Sequence, residues 1–237
     1  RRYIGRWPGP GIGGGNAARL HLSPLLSNIY LHYVLDIWFS RVMGPQCRGE
    51  AYYFRFADDF VACVRYREDA NAFMEALRER LGKFALTLAE EKTRCIEFGR
   101  NARTNARRGD GKPEEFTFLG FTHDCGKTKK GHYKVKRRTS RQKFGVSLRA
   151  FSDWARRARG RLTKGEMLRR ATQRVKGYLN DYAITDNVPW CTASIYRATR
   201  ILYKWLNRKS QRKAYTWVQL QQALAWVGWP RARIHKD

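Results

Sequence analysis

Acidic residues are scarce in this chain of 237 residues, which has 20 Asp and Glu against 48 Lys and Arg. The resulting formal charge of +28 opposes compaction by self-repulsion, and binding to a polyanion relieves that repulsion. Nucleic acid is the favoured partner, because contacts between cationic side chains and phosphates release counterions. A membrane surface is the weaker alternative, since no apolar run approaches the ~20 residues that a spanning helix requires.

Cysteine is also sparse, and its pattern excludes two classes of small protein. The five cysteines form an odd set, and no two of them have C-x-x-C spacing. Neither a disulfide framework nor a zinc module is therefore predicted. Hydrophobic residues make up 43% of the chain, which excludes a disordered tail. We expect a reduced protein of the cytoplasm (bacterial cytoplasm or nucleoid), with an organelle as the alternative.

Two adjacent carboxylates, Asp58 and Asp59, lie between two apolar, strand-like runs. This pattern is typical of a β-hairpin, here with the two carboxylates at its tip. Two like charges this close are costly unless a cation lies between them. Mg²⁺ is commonly held by one or two carboxylates together with substrate phosphates, as in phosphoryl transfer by two metal ions. The alternative is an ordinary turn, because Asp is a favoured turn residue.

The pattern of the chain changes near residue 135. Helix-like and strand-like segments alternate before it, and every periodic segment after it is helical. Residues 127–174 contain 18 Lys and Arg against two acids, which is far more than solubility requires. We predict an α+β protein with a mixed domain at residues 1–135 and an all-helical, basic domain at residues 136–237.

Helical periodicity predicts two helices in the first domain. The first is expected to begin at Ser23-Pro24, with Ser23 as its N-cap. The second is expected over residues 69–84 and buries Phe73, Leu77 and Leu81. The residues expected to form the buried face of the first helix are Leu26, Ile29, Tyr30, Tyr33, Val34 and Trp38.

Turn-forming residues and capping boxes set the remaining boundaries. Residues 1–15, rich in Gly and Pro, and the basic stretch 100–112 are predicted to be loops. Residues 116–122 are predicted to form a strand. In the second domain, capping boxes at Thr163 and Thr216 predict helix starts, and residues 194–208 predict a further helix.

Five motifs in this order resemble those of the reverse transcriptase/maturase proteins encoded by group II introns. The match extends over nearly the whole chain and implies a partial polymerase palm followed by a helical thumb, or X domain. The motifs are a palm helix at Ser23-Pro24-Leu25-Leu26-Ser27-Asn28-Ile29-Tyr30-Leu31, the active-site box Phe56-Ala57-Asp58-Asp59, Leu86 with Glu91-Lys92-Thr93, the palm-closing hairpin Phe118-Leu119-Gly120-Phe121-Thr122, and Trp205 to Lys213 with Pro230-Arg231-Ala232-Arg233-Ile234.

The resemblance implies RNA-directed DNA polymerase activity, with intron RNA, an RNA template and a DNA primer as partners. Asp58 is then the main ligand of Mg²⁺ (or Mn²⁺), and Asp59 supports it. Phe56 and Ala57 are implied to lie near the primer end and the nucleotide. For Phe56, packing within the hairpin is the alternative. Lys92 is implied to contact phosphate, with a solvated turn lysine as the alternative, and Gly120 to admit the primer backbone, with a turn or bulge glycine as the alternative.

Two departures from the family pattern limit this expectation. The family's fingers and first catalytic Asp are expected ahead of Arg1, in an upstream part of the same protein or in a second polypeptide. Ala18 stands where the family has a Gln that shapes the nucleotide pocket. An RNA-binding maturase-like or scaffold protein without catalysis is therefore the second hypothesis, and a nucleic-acid-binding protein unrelated to introns is the third.

The cations of the helical domain are the expected nucleic-acid contacts. They follow one another closely, with few acids between them to neutralise them. The candidate residues are Arg137, Arg138, Arg141, Lys143, Arg156, Arg157, Arg159, Arg161, Arg169 and Arg170.

Overall fold

The computed structural model describes residues 2–7, 22–108, 111–208 and 214–234. The chain divides into two compact units, Arg1–Lys136 and Arg137–Asp237. The predicted α+β class is confirmed, because antiparallel strands with packed helices are followed by a helical region. Among the described helices, none has both the length and the apolar character needed to cross a bilayer.

The first unit is built around a four-stranded sheet and a smaller three-stranded sheet. Its elements in chain order are β1 (Arg2–Trp7), α1 (Leu22–Leu31), two π-helical segments (His32–Asp36 and Phe39–Met43), α2 (Gly44–Gln46), β2 (Ala51–Phe56), β3 (Asp59–Val64), α3 (Arg67–Lys83), a 3₁₀ turn (Glu90–Lys92), β4 (Arg94–Phe98), α4 (Ala102–Arg108), β5 (Phe116–Phe118) and β6 (Phe121–Lys127). The strand β7 (Tyr133–Thr139) contains the division between the units.

The larger sheet has the strand order β2-β3-β1-β4, with antiparallel pairing throughout. Successive residues of β3 point to opposite faces, so Phe60 and Ala62 join one core and Val61 joins another. The helical segments and α3 cover the first face, where Phe73, Leu77 and Leu81 are buried as predicted. The central hairpin is therefore held from both sides of the sheet.

The first helix differs from its prediction. Ser23 lies inside α1 rather than at its cap, and four of the six residues expected in the buried face are exposed. Val34 and Trp38, which follow the start of the first π-helical segment, are buried as expected. A π-helix bonds residue i to i+5, so its wider turn changes which side chains share a face. The exposed four are Leu26, Ile29, Tyr30 and Tyr33.

Three other local predictions are corrected. Residues 2–7 form β1 rather than a loop, and they pair with both β3 and β4. The basic stretch 100–112 contains the helix α4. Residues 116–122 form a hairpin, as the resemblance implied, rather than the single strand that the apolar run predicted; it turns at Leu119 and Gly120, which have φ of +50° and +81°. Positive φ at both central residues is the hallmark of a tight hairpin turn. The predicted departure at Ala18 lies outside the described residues.

Over its described residues, the second unit consists of four helices after β7. Thr163 and Thr216 cap α6 and α8 through capping boxes with Glu166 and Gln219, as predicted. The helix α7 begins six residues earlier than predicted, with Pro189 in its first turn. The helices in chain order are α5 (Arg141–Arg161), α6 (Lys164–Tyr182), α7 (Val188–Leu206) and α8 (Trp217–Trp226).

A buried amide joins the start of the second unit to its helices. Asn187 is 0% exposed; its Oδ1 accepts from Thr139 N at 2.7 Å, and its Nδ2 donates to Thr139 Oγ1 at 2.7 Å and to Tyr182 O at 2.8 Å. The Asn187→Ala variant leaves these groups without partners. We expect the free energy of unfolding to fall by about 3 kcal/mol. Urea denaturation checks this against Asn180→Ala, which truncates an exposed asparagine of α6. Equal losses in the two variants would contradict it.

Candidate functional site

The two carboxylates lie at one end of the β2–β3 hairpin. The turn consists of Ala57 and Asp58, while Asp59 is the first residue of β3 and pairs with Phe56. The predicted tip of Asp58-Asp59 is therefore wrong by one residue. Phe56 and Asp59 close the two-residue turn, which leaves Asp58 outside the ladder. Asp58 is exposed and Asp59 is half-buried, so both lie where a solvent ion can reach the hairpin.

The turn itself has an unusual backbone conformation. Ala57 has φ of +53°, in the left-handed region that residues with a Cβ rarely adopt. This conformation costs about 1–2 kcal/mol, so surrounding contacts must hold it.

Arg55 supplies such contacts and was not among the residues that the sequence indicated. Its Nε and Nη2 each donate to a carboxylate oxygen of Asp36 at 2.7 Å. Its Nη1 donates to Asn28 Oδ1 at 3.0 Å and to the carbonyl oxygen of Ala57 at 2.8 Å. One guanidinium thus joins α1, the first π-helical segment and the hairpin turn.

The ionisation of Asp36 shows how strongly it interacts with Arg55. Burial opposes ionisation of Asp36, but hydrogen bonds and positive charge from Arg55 and His32 outweigh it and lower the pKa of the carboxyl below 3.8. The same hydrogen bonds raise the pKa of Arg55. The sequence contained a signal for the Arg55–Asp36 pair. Arg55 lies on the same face of β2 as Ala51 and Tyr53, which is the face toward the core, and a buried arginine requires a partner.

The other predicted contacts lie on neighbouring elements. Phe56 stands beside the turn and is 64% exposed, which leaves its ring accessible to a bound strand. Lys92 ends the 3₁₀ turn and is exposed, and Gly120 lies in the β5–β6 turn. The hairpin therefore brings Phe56, Ala57 and the two carboxylates together by itself, and the roles of Lys92 and Gly120 stay predictions.

The hairpin offers two adjacent carboxylates as candidate ligands for a divalent cation. Adjacent carboxylates at an exposed strand end suit Mg²⁺, which takes one or two such ligands with substrate phosphates. Across the described ranges, no group of three or more His, Cys, Asp or Glu side chains could hold a metal ion. On the side away from β2, β3 pairs with β1, whose sequence contains no carboxylate. A second ion would need a ligand from elsewhere.

The family comparison covers this hairpin. Residues 20–123 match the model of the family described as reverse transcriptase (RNA-dependent DNA polymerase). This segment, which is less than half of the chain, is similar to the reverse transcriptase family. The general resemblance is thereby confirmed, while the group II intron subtype stays a prediction. A search of curated proteins found no match for the chain.

The predicted cations after the reverse transcriptase segment are mostly open to solvent. Eight of the ten are exposed, and Arg138 and Arg159 are half-buried. Residues 137–237 contain 24 Lys and Arg against five Asp and Glu, so acids cannot neutralise most of these cations. Arg156 approaches Asp153 only to 3.8 Å.

Aromatic rings rather than acids hold several cations of this unit. The ring of Trp205 has Arg159, Lys204 and Arg208 within 5.0, 5.2 and 5.7 Å of its centre. Cation–π contact orients a charge without neutralising it, so these cations keep their attraction for phosphate. Lys204 and Arg208 were missed by sequence reasoning: Lys204 directly precedes Trp205 in α7, and Arg208 lies in the turn just after the end of that helix. Similar contacts place Arg174 over Trp154 and Arg197 over Phe144.

The lowered pKa of Asp36 makes the hairpin support sensitive to acid. A carboxyl whose pKa is lower in the folded chain stabilises it above pH 3.8, its ordinary value, and loses that effect as pH falls through the folded pKa. Asp36→Asn should cost about 2 kcal/mol of unfolding free energy near neutral pH. That difference from wild type should shrink below about pH 4. Urea denaturation at a series of pH values checks it, and a difference independent of pH would contradict it.

Proposed function

We propose that this chain is the palm and thumb portion of an RNA-directed DNA polymerase of the group II intron maturase type. The observation that supports it most is the Asp58-Asp59 hairpin inside a segment that is similar to the reverse transcriptase family. The second unit, with exposed cations on α5 and α6, supports the proposed thumb. We further propose that the protein acts in the cytoplasm, where RNA template, intron RNA and DNA primer are available.

The residues of the hairpin have separate roles in this proposal. Asp58, in the turn, is the main ligand for Mg²⁺ or Mn²⁺, and Asp59 supports it from the first position of β3. When bound, the ion lowers the pKa of the primer 3′-hydroxyl and neutralises charge on the transferred phosphate. The exposed ring of Phe56 supports the sugar or base at the primer end. A further carboxylate is supplied from outside this hairpin, by an upstream part of the protein or a second polypeptide.

One observation favours a second candidate function. Within the described ranges, no third His, Cys, Asp or Glu completes a metal-binding group with the two carboxylates. A chain with this incomplete site and a cationic helical unit would serve as an RNA-binding maturase-like or scaffold protein. In that case, the helical unit alone provides its function, through contacts with the phosphates of structured RNA.

Primer extension and RNA binding, measured on the same preparation, test these proposals. A polymerase extends a DNA primer on an RNA template when Mg²⁺ is present, and chelation stops it. A maturase-like binder gives no extension with or without Mg²⁺, yet retains structured intron RNA over an unrelated duplex of equal length. Equal retention of both nucleic acids without extension leaves a general nucleic-acid-binding protein, and weak retention of both contradicts all three.

A further inference from the structure

Most of the hydrogen-bonding capacity of the Arg55 guanidinium is taken up by partners that lie on three separate elements. It makes four hydrogen bonds of 2.7 to 3.0 Å, and a guanidinium has five N–H donors. Its side chain is only 10% exposed. Arg55 therefore has little capacity left to bind a phosphate, although it directly precedes the Phe56-Ala57-Asp58-Asp59 box.

The fourth of these bonds acts on the turn that carries the carboxylate. The carbonyl of Ala57 belongs to the peptide group that continues into Asp58, so its direction fixes where the backbone of Asp58 begins. Ala57 also carries the left-handed φ of +53°. A strained turn keeps one conformation only when its surroundings determine it, and Arg55 provides that restraint from a partly buried ion pair with Asp36.

We propose that Arg55 is a positioning residue, which uses Asp36 and Asn28 as anchors to hold the Ala57-Asp58 turn in the conformation that binds a divalent cation. This inference rests on the proposed function, because it assigns the metal to Asp58 and Asp59. Groups that orient metal ligands typically change metal affinity by about 10–100-fold when they are removed. Lysine keeps the charge but has neither the planar fork nor the reach for all of these partners.

The chain offers a matched control. Arg78 makes a similar two-pronged contact with Glu90, with Nε–Oε1 at 2.7 Å and Nη2–Oε2 at 3.1 Å. Both side chains of that pair are about half exposed, and the pair lies between α3 and the 3₁₀ turn. Arg78→Lys thus removes the same fork from a site that does not hold the hairpin.

The test measures Mn²⁺ affinity by electron paramagnetic resonance, which requires no catalysis. We expect Asp58→Asn to abolish the hairpin-dependent binding, Arg55→Lys to weaken it about 10-fold or more, and Arg78→Lys to leave it unchanged. Where primer extension is present, Arg55→Lys should also need more Mg²⁺ for half-maximal rate while keeping its affinity for template–primer. A variant that is merely unfolded would lose both primer extension and affinity for template–primer.

Asn28→Ala is a second variant that tests the same role if Arg55→Lys fails to fold. It removes one anchor and keeps the ion pair with Asp36, so we expect a smaller loss of Mn²⁺ affinity without loss of folding. If Arg55→Lys and Asn28→Ala both bind Mn²⁺ like wild type, while Asp58→Asn does not, the positioning role is wrong and the metal site stands. If wild type and Asp58→Asn bind Mn²⁺ equally, the metal site and the positioning role are both wrong.

Discussion

Replacing Asp58 by asparagine should remove RNA-templated primer extension almost entirely. The change keeps the size of the side chain but removes the negative charge that the proposed ion needs at the turn. Loss of one group that stabilises transition-state charge typically costs about 10²–10³-fold in rate, or ~3–4 kcal/mol. Asp59→Asn should cost less, because Asp59 is half-buried in the strand and is assigned a supporting role. Gel-resolved primer extension at several Mg²⁺ concentrations measures both effects.

Glu75→Gln is the control for this experiment. It removes one negative charge from an exposed position of α3 and keeps the side-chain volume. Extension by Glu75→Gln should equal that of wild type. RNA affinity should stay the same in all three variants, since the carboxylates do not hold the phosphate backbone. A wild-type rate in Asp58→Asn would exclude the hairpin as the catalytic centre.

Neutralising four unpaired cations of the second unit should weaken RNA binding by about 100-fold or more at 0.1 M salt. The slope of log affinity against log salt is negative, and each lost phosphate contact reduces its magnitude by about 0.9. Loss of four contacts would therefore reduce it by about 3–4. These four side chains are exposed, and among the described residues none has an acidic oxygen within 4 Å, although Arg170 interacts with Glu166 at longer range. Filter binding at a series of salt concentrations measures the slope. The replaced residues are Arg141, Lys143, Arg161 and Arg170, each changed to Gln.

A variant with the same change in net charge separates this effect from general electrostatics. In the first unit, four exposed cations away from the carboxylate hairpin form ion pairs, so their charges are already neutralised locally. Changing them to Gln should leave the salt slope close to that of wild type. Equal losses in the two variants would mean that net charge alone drives binding, and would exclude a defined surface on the helices. The control residues, with their partners, are Arg48 with Glu68, Arg78 with Glu90, Lys83 with Glu79, and Arg94 with Glu114.

Local signals predicted the elements whose structure depends on neighbours along the chain. The buried face of α3 follows from helical spacing, and the capping boxes of α6 and α8 follow from four-residue patterns. The π-helical segments could not be predicted, because i→i+5 bonding breaks the i, i+3, i+4 spacing of apolar residues that indicates an α-helix. The strand β1 escaped it because β1 gains its hydrogen bonds only from β3 and β4, which are distant in sequence.

The candidate site divides in the same way. The hairpin with its two carboxylates could be predicted from the apolar runs on either side, and the box Phe56-Ala57-Asp58-Asp59 from its resemblance to a family motif. The exact turn could not, because the pairing of Phe56 with Asp59 depends on the register of the whole β2–β3 ladder. The Trp205 cluster was only partly visible, since Arg159 reaches that ring from another helix.

Composition and short motifs by themselves determined the cationic character of this protein, the adjacent carboxylates between two strands, and the helical nature of its second half. These are properties of residue types and of spacing within a few positions. Only the tertiary structure decided what holds the carboxylate turn, because Arg55 finds Asp36 and Asn28 at sequence separations of 19 and 27 residues. Contacts over such separations form when α1 and the π-helical segment pack against the sheet, and no local pattern encodes them.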